Sequence, residues 1–128
     1  MKKRTRNLTL AIVFIVLISG YYFSIQPGKY DDFAKCLTKE EIKFYGAFWC
    51  PHCADQKKLF GKSMEFITYI ECSTPDRNDM TPLCKQEEIK GYPTWKFKDG
   101  SSVSGFINFK DLEHPKTKEF LEKTNCKL

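Results

Sequence analysis

Histidine is scarce in this 128-residue chain: His52 and His114 are its two histidines, and its six cysteines include one close pair, Cys50 and Cys53. A structural zinc site needs about four nitrogen or sulfur ligands in tight spacing. That supply argues against zinc, and no metal is assigned. No acidic residue precedes Asp31, whereas Lys2, Lys3, Arg4 and Arg6 crowd the start. The formal charge of +5 is therefore mostly local, because four of the 21 basic residues sit in that leader and all 16 acids lie beyond it. The remainder is nearly neutral and lacks the basic footprint of a nucleic-acid binder. Repeats and low-complexity segments are also missing, which excludes a solenoid or array.

Charge is absent altogether from residues 8–25, an apolar run closed by Tyr21, Tyr22, Phe23 and Ile25 and ended by Pro27 and Gly28. Its length is close to the ~20 residues that cross a bilayer core. A cleaved signal peptide and an uncleaved anchor compete for this pattern. Small-x-small cleavage is poorly met, since Ser19 and Gly20 are adjacent and three aromatics follow, so the anchor is favoured. The basic leader, residues 1–7, would stay in the cytoplasm, with the tyrosines at the far interface. This predicts a single-pass plasma-membrane protein whose remainder is extracytoplasmic. Residues 26–32 read as a polar tether and 33–128 as one domain of modest core. Six cysteines suit an oxidising compartment.

Cys50 ends an apolar stretch containing Ile42, Phe44, Tyr45, Ala47 and Phe48, and Pro51 suits the first position of a helix, where its missing N–H costs nothing. At the N-cap, Cys50 would meet unpaired N–H groups and the positive helix end, and a protonated His52 would add a cation; all three favour the thiolate. Stabilising the reduced pair makes a dithiol oxidising. Zinc ligation and a purely structural disulfide are the plainer alternatives.

The remaining pattern alternates helix and strand. Tyr30, Phe33, Ala34 and Leu37 predict a brief helix before a strand ending near Ala47. After the dithiol, Ala54, Leu59 and Phe60 form a helix face broken at Gly61, with Lys57 and Lys58 toward solvent. Residues 66–70 read as a second strand parallel to the first. A loop over 72–82 leads to a helix over 83–89, capped near Thr81 and ended by Gly91. Residues 92–97 form a strand opened by Pro93, and Asp99-Gly100 turns it into 102–105. Leu112, Phe120 and Leu121 predict a closing helix confined beyond Pro115. Cys72 and Cys84 bracket the polar loop and are read as a stapling disulfide, with an electron relay to the dithiol as the alternative. Cys36 and Cys126 are left at the two ends of the domain, and their pairing stays open.

The strand running into Trp49-Cys50-Pro51-His52-Cys53, the parallel strand, and Gly91-Tyr92-Pro93-Thr94 opening a hairpin at Asp99-Gly100 resemble a thioredoxin-fold domain over about residues 33–124. More closely, residues 44–53 with Gln56, Leu59, Phe60, Gly61, Cys72, Cys84 and Gly91 through Trp95 resemble the thioredoxin-like domain that accompanies bacterial vitamin K epoxide reductase homologues. The resemblance implies an α/β fold with a central mixed sheet flanked by helices, here behind one N-terminal transmembrane helix. It implies that Cys50 attacks, Cys53 resolves and His52 tunes Cys50. Pro93 would be a cis-proline facing the dithiol, the Tyr92 backbone would pair with a substrate strand, and Trp49 and Pro51 would belong to the docking surface. The family's membrane helix bundle has no counterpart in this chain, so a vitamin K epoxide reductase-like or other quinone-linked redox partner would be a separate chain. One departure matters: thioredoxins bury an aspartate on the strand before the dithiol, where this chain has Phe44 and Tyr45. Glu71 or a water is left to take that part.

Two function classes follow. The first is a membrane-anchored thiol-disulfide oxidoreductase that oxidises exported cysteine-containing proteins and needs no bound cofactor, with a reductase or isomerase fed from the cytoplasm as its runner-up. The second is a non-catalytic module binding through Trp49, Tyr92 and Pro93, which would have no need of two thiols at a helix start.

Overall fold

The computed structural model describes residues 2–128; Met1, part of the basic leader, lies outside them. The elements run α1 (Lys2–Ile25), α2 (Asp31–Lys39), β1 (Lys43–Gly46), α3 (Pro51–Phe60), a 3-10 turn (Gly61–Phe66), β2 (Tyr69–Glu71), α4 (Pro82–Gln86), β3 (Thr94–Lys96), β4 (Ser102–Ser104) and α5 (Pro115–Lys123). The strands form one mixed sheet in the order β2-β1-β3-β4. β1 runs parallel to β2 and antiparallel to β3, and β3 and β4 form the hairpin. This is a thioredoxin-like α/β fold.

Alternation along β1 builds the two sides of the sheet. Phe44 faces the larger core, stacked on Trp95 at 4.6 Å between ring centres, while Tyr45 faces a smaller cluster of Cys72, Cys84 and Ile89. The larger core is largely aromatic: Phe60 and Phe120 meet Trp95 at tilted or edge-to-face angles, Phe33 and Phe109 meet both of these phenylalanines and each other, and Phe33 stacks parallel on Phe60. Each such ring, fully buried, contributes about 1.5–3 kcal/mol. β1 is thus the central strand on which both layers pack, and it ends four residues before Cys50.

Helix α1 has 24 residues and no buried side chain. It is about 36 Å long, enough to cross a ~30 Å hydrocarbon core, and is the one helix among the described residues with the length and composition to do so. Its last carbonyls are not left bare. Lys62 Nζ donates to the Phe23, Ser24 and Gln26 carbonyls at 2.8, 3.2 and 3.2 Å, tying the helix end to the 3-10 turn.

Several boundaries differ from the sequence reading. Tyr30 is buried in the core and its N–H donates to Ser63 Oγ at 2.9 Å, so packing begins inside the stretch read as a tether. The strand expected over 66–70 is Tyr69–Glu71, because the 3-10 turn consumes Phe66 and Ile67 dips into the core beyond it. The helix expected over 83–89 closes at Gln86; Glu88 turns to φ 54°, and Ile89 packs from the loop. Thr81 occupies that helix's N-cap, yet its hydroxyl donates to the Glu71 carbonyl at 3.3 Å instead of capping. The strand expected over 92–97 is Thr94–Lys96, with Tyr92–Pro93 preceding it as a cis peptide. The hairpin turn lies where expected: Gly100 has φ 83°, and Asp99 Oδ1 accepts the Ser101 N–H at 2.9 Å.

Candidate active site

Cys50 is the N-cap of α3, held extended at φ −78°, ψ 120°, with Pro51 in the first turn. The Cys50 N–H donates to the Ala47 carbonyl at 3.0 Å, turning the chain from β1 into the helix. The Cys53 N–H then points back and donates to Cys50 Sγ at 3.3 Å. A helix-end N–H aimed at a sulfur favours that sulfur when it carries negative charge. Both cysteines are free thiols. Cys50 is 6 % exposed and Cys53 1 %, so the first meets solvent and the second scarcely does. Pro51 and His52 are exposed on the first turn, and His52 makes no hydrogen bond or ion pair among the described residues.

Burial, and next its hydrogen bond with Cys50, pushes the Cys53 thiol up to about 12, while the Ala47 backbone and, to a smaller extent, the Lys57 ammonium pull it the other way. Lys57 does not point into solvent as its sequence context suggested. It is half-buried, and its Nζ stands 3.5 Å from the centre of the Tyr69 ring; Lys58 is the exposed one, 3.8 Å from Asp55. Tyr69 donates its hydroxyl proton to Glu71 Oε2 at 2.7 Å. Burial first, then that hydrogen bond, raises the phenol well above its ordinary range. The other Glu71 oxygen accepts the Phe48 and Ser73 N–H groups at 3.2 and 2.9 Å. At Gly46 an added Cβ would lie 3.0 Å from Tyr69 Cε2 and 3.1 Å from Cys53 Sγ. The missing side chain is what lets ring and sulfur share that space.

Around Cys50 lies a partly apolar rim. Phe48 and Trp49 are 49 % and 44 % exposed, and Trp49 meets Tyr92 edge-on at 6.0 Å. The Trp49 indole N–H donates to Ser73 Oγ at 2.7 Å, and the Arg77 guanidinium sits 5.2 Å from the Phe48 ring centre. Pro93 itself is buried. The loop carrying Ser73 and Arg77 is closed by a Cys72–Cys84 disulfide with a Cα–Cα distance of 5.5 Å. Both cysteines of that bond are fully buried. A second disulfide joins Cys36 to Cys126 at 5.8 Å between Cα atoms, so the one dithiol outside a disulfide is Cys50/Cys53. The sequence reading passed over Lys57, Tyr69 and Ser73. The signal available was spacing: Lys57 follows Cys53 by one helical turn, and Tyr69 and Glu71 share one face of a strand. Among the described residues no group of three or more His, Cys, Asp or Glu side chains gathers.

A free, unequally exposed dithiol at a helix start, on a thioredoxin-like sheet with a cis-proline, defines a thioredoxin-fold redox protein. No family model matches the chain. It is, however, 33% identical over 122 residues to protein disulfide isomerase-like 5-1 of Oryza sativa subsp. japonica, across 86% of this chain and 82% of that protein. The chain belongs to the protein disulfide isomerase-like family of thioredoxin-domain oxidoreductases. It is also 37% identical over 83 residues to the thiol-disulfide oxidoreductase LTO1 of Arabidopsis thaliana, and 35% identical over 83 residues to a probable protein disulfide-isomerase A4 of Caenorhabditis elegans. These alignments cover 62% and 64% of this chain but span 22% and 13% of those two relatives.

Proposed function

We propose that the protein is a membrane-anchored thiol-disulfide oxidoreductase that hands a disulfide to exported proteins through Cys50/Cys53 and is reoxidised by a quinone-linked membrane protein. The observation that carries this reading is the Cys53 N–H donated to Cys50 Sγ at 3.3 Å at the start of α3, with both thiols free. In the oxidised enzyme a client thiolate attacks Cys50 Sγ, and the Cys50–Cys53 bond breaks. Cys53 leaves with the electron pair and takes a proton, and the client is held on Cys50 as a mixed disulfide. A second client thiolate attacks its own sulfur in that bond, releasing Cys50. The client has lost two electrons and the enzyme is a dithiol, which the membrane partner restores by accepting two electrons and two protons. The rim of Phe48, Trp49 and Tyr92 supplies apolar contact for an unfolded client segment. Helix α1 would hold the domain outside the membrane with Lys2, Lys3, Arg4 and Arg6 inside, at high effective concentration near its partner.

The relatives' names divide between oxidoreductase and disulfide isomerase, so redox direction is the deciding measurement. Acid quenching of cells followed by alkylation and mass analysis of the Cys50–Cys53 peptide should find the disulfide. Equilibration with glutathione should give a potential well above the roughly −270 mV of a reducing thioredoxin. A pair resting as the dithiol at that low potential would favour the reductase or isomerase. Equal oxidation of a reduced two-cysteine peptide by the wild type and Cys50→Ala would end the enzymatic reading in favour of a binding module. Protease added to spheroplasts should remove the domain from Pro27 onward; full protection of Cys50 would reverse the topology.

A further inference from the structure

Cys53 sets a chemical problem that its own helix start does not solve. Its thiol is 1 % exposed and held protonated by burial, yet each exchange cycle passes it through a thiolate. The charged and titratable groups facing it are Cys50 at the N-cap and Lys57 from α3, the Tyr69 phenol from β2 and Tyr92 ahead of β3, with Glu71 beside both phenols. Lys57 is the one cation among them. It lies one turn beyond Cys53 on the same face of α3, and its Nζ is 3.5 Å from the centre of the Tyr69 ring. A lysine stem has ample rotamer freedom to swing away. Here the ring face opposes that freedom through a cation–π contact. The ring is fixed in turn by the 2.7 Å hydrogen bond to Glu71, whose carboxylate is pinned by two backbone N–H groups.

We infer that Lys57 is a positioning residue for resolution, its ammonium held on the Tyr69–Glu71 platform so that it offsets the negative charge of the Cys53 thiolate. The inference rests on the thiol-disulfide exchange reading above. The step it serves is balanced: Cys53 gives its proton to solvent, and the thiolate attacks Cys50 Sγ of a mixed disulfide. The Cys50–Cys53 bond forms, and the departing sulfur leaves with the electron pair. In the opposite direction the same ammonium meets Cys53 as it leaves. Lys57 reacts with nothing; it lowers the cost of charge in a site that water scarcely enters.

The test uses the full chain in detergent micelles, with Cys50 converted to its mixed disulfide with 2-nitro-5-thiobenzoate. Release of the coloured thiolate by Cys53 is followed over roughly pH 6 to 10. Lys57→Met keeps a long side chain over the ring and removes the charge. It should slow release about tenfold at neutral pH and move the pH profile up by about one unit. Lys57→Arg should restore both, and Tyr69→Leu, which removes the platform, should behave as Lys57→Met does. A Lys57→Met profile that overlays the wild type would overturn the inference while leaving exchange intact. Failure of the exchange reading looks different: release from the wild type would be no faster than from Cys53→Ser.

Discussion

Removing the Cys36–Cys126 bond should cost this small domain more than any ordinary surface change. The bond ties α2 to the segment after α5 across a sequence separation of 90 residues, so in the unfolded chain it closes nearly the whole domain into one loop. On chain-entropy grounds that restriction is worth about 4.6 kcal/mol, against about 2.8 kcal/mol for the 12-residue Cys72–Cys84 loop. Total stability for a domain of this size is of order 5–15 kcal/mol, so the first figure is a large share of it. The perturbation is the double variant Cys36→Ala/Cys126→Ala, unfolded by urea in non-reducing buffer. Both tryptophans, Trp49 and Trp95, lie within the domain, so their fluorescence reports its unfolding and not that of α1. Two outcomes are expected together: a loss of about 4–5 kcal/mol, and a larger dependence of stability on urea, because the opened unfolded chain exposes more surface. The urea dependence should change much less for Cys72→Ala/Cys84→Ala, whose cost includes lost packing beside Tyr45 and Ile89. A loss below about 1 kcal/mol with unchanged urea dependence would refute the argument that the bond acts by restricting the unfolded chain.

Gly46→Ala should destabilise the domain by about 1–3 kcal/mol and slow Cys53, since the new methyl would crowd Tyr69 Cε2 and Cys53 Sγ at 3.0 and 3.1 Å; unchanged stability and alkylation would contradict the crowding. In Cys50→Ala, where burial still holds the Cys53 proton, alkylation of Cys53 should rise about tenfold per unit between roughly pH 7 and 9. A plateau below the ~8.5 of a free thiol would show that burial does not raise it. Glu87, held below the usual carboxylate range by the Lys96 ammonium at 2.6 Å, has a depressed folded-state value. Its contribution is therefore full at neutral pH, begins to fade as pH falls below the ordinary glutamate value near ~4, and is lost as pH falls through the lower folded value. Glu87→Gln should cost up to about 1 kcal/mol at pH ~7 and progressively less as pH falls through the lowered folded value, and a loss that does not change with pH would rule out the ion pair as its cause.

Where one residue carried both a local and a tertiary signal, the sequence was enough to place an element. Pro51 next to Cys50 marked the start of α3, Asp99-Gly100 marked the hairpin, and the apolar run through Phe44, Tyr45 and Ala47 marked the strand that leads to the dithiol. Errors arose where an apolar residue served the core without joining a regular element. Phe66 and Ile67 read as strand because they are apolar and adjacent, but the chain spends Phe66 on a 3-10 turn and pairs later, at Tyr69. Ile89 read as helix for the same reason, although Glu88 at positive φ has already ended α4. Hydrophobic pattern reports burial, and burial alone does not fix backbone conformation.

The dithiol could be read from its spacing, but its surroundings could not, because they come from three segments that meet only in the fold. Phe44, where a thioredoxin-like resemblance led us to look for an acid, stacks on Trp95 in the aromatic core. A carboxylate in its place would be buried among rings with no partner, at a cost of several kcal/mol. The charge instead enters from the two neighbouring elements: Lys57 from the helix that carries Cys53, and Glu71 from the far end of β2, joined through the Tyr69 ring and hydroxyl. Glu71 also accepts the Phe48 N–H, next to Trp49, and the N–H of Ser73, whose hydroxyl receives the Trp49 indole proton. One carboxylate therefore fixes both the lysine platform under Cys53 and the aromatic rim beside Cys50. A change at Glu71 should then disturb client docking and resolution together, whereas Lys57→Met should disturb resolution alone. Measuring the concentration dependence of client oxidation alongside the rate of release for Glu71→Gln and Lys57→Met separates the two; a Glu71→Gln variant altered in only one of them would show that rim and platform are independent.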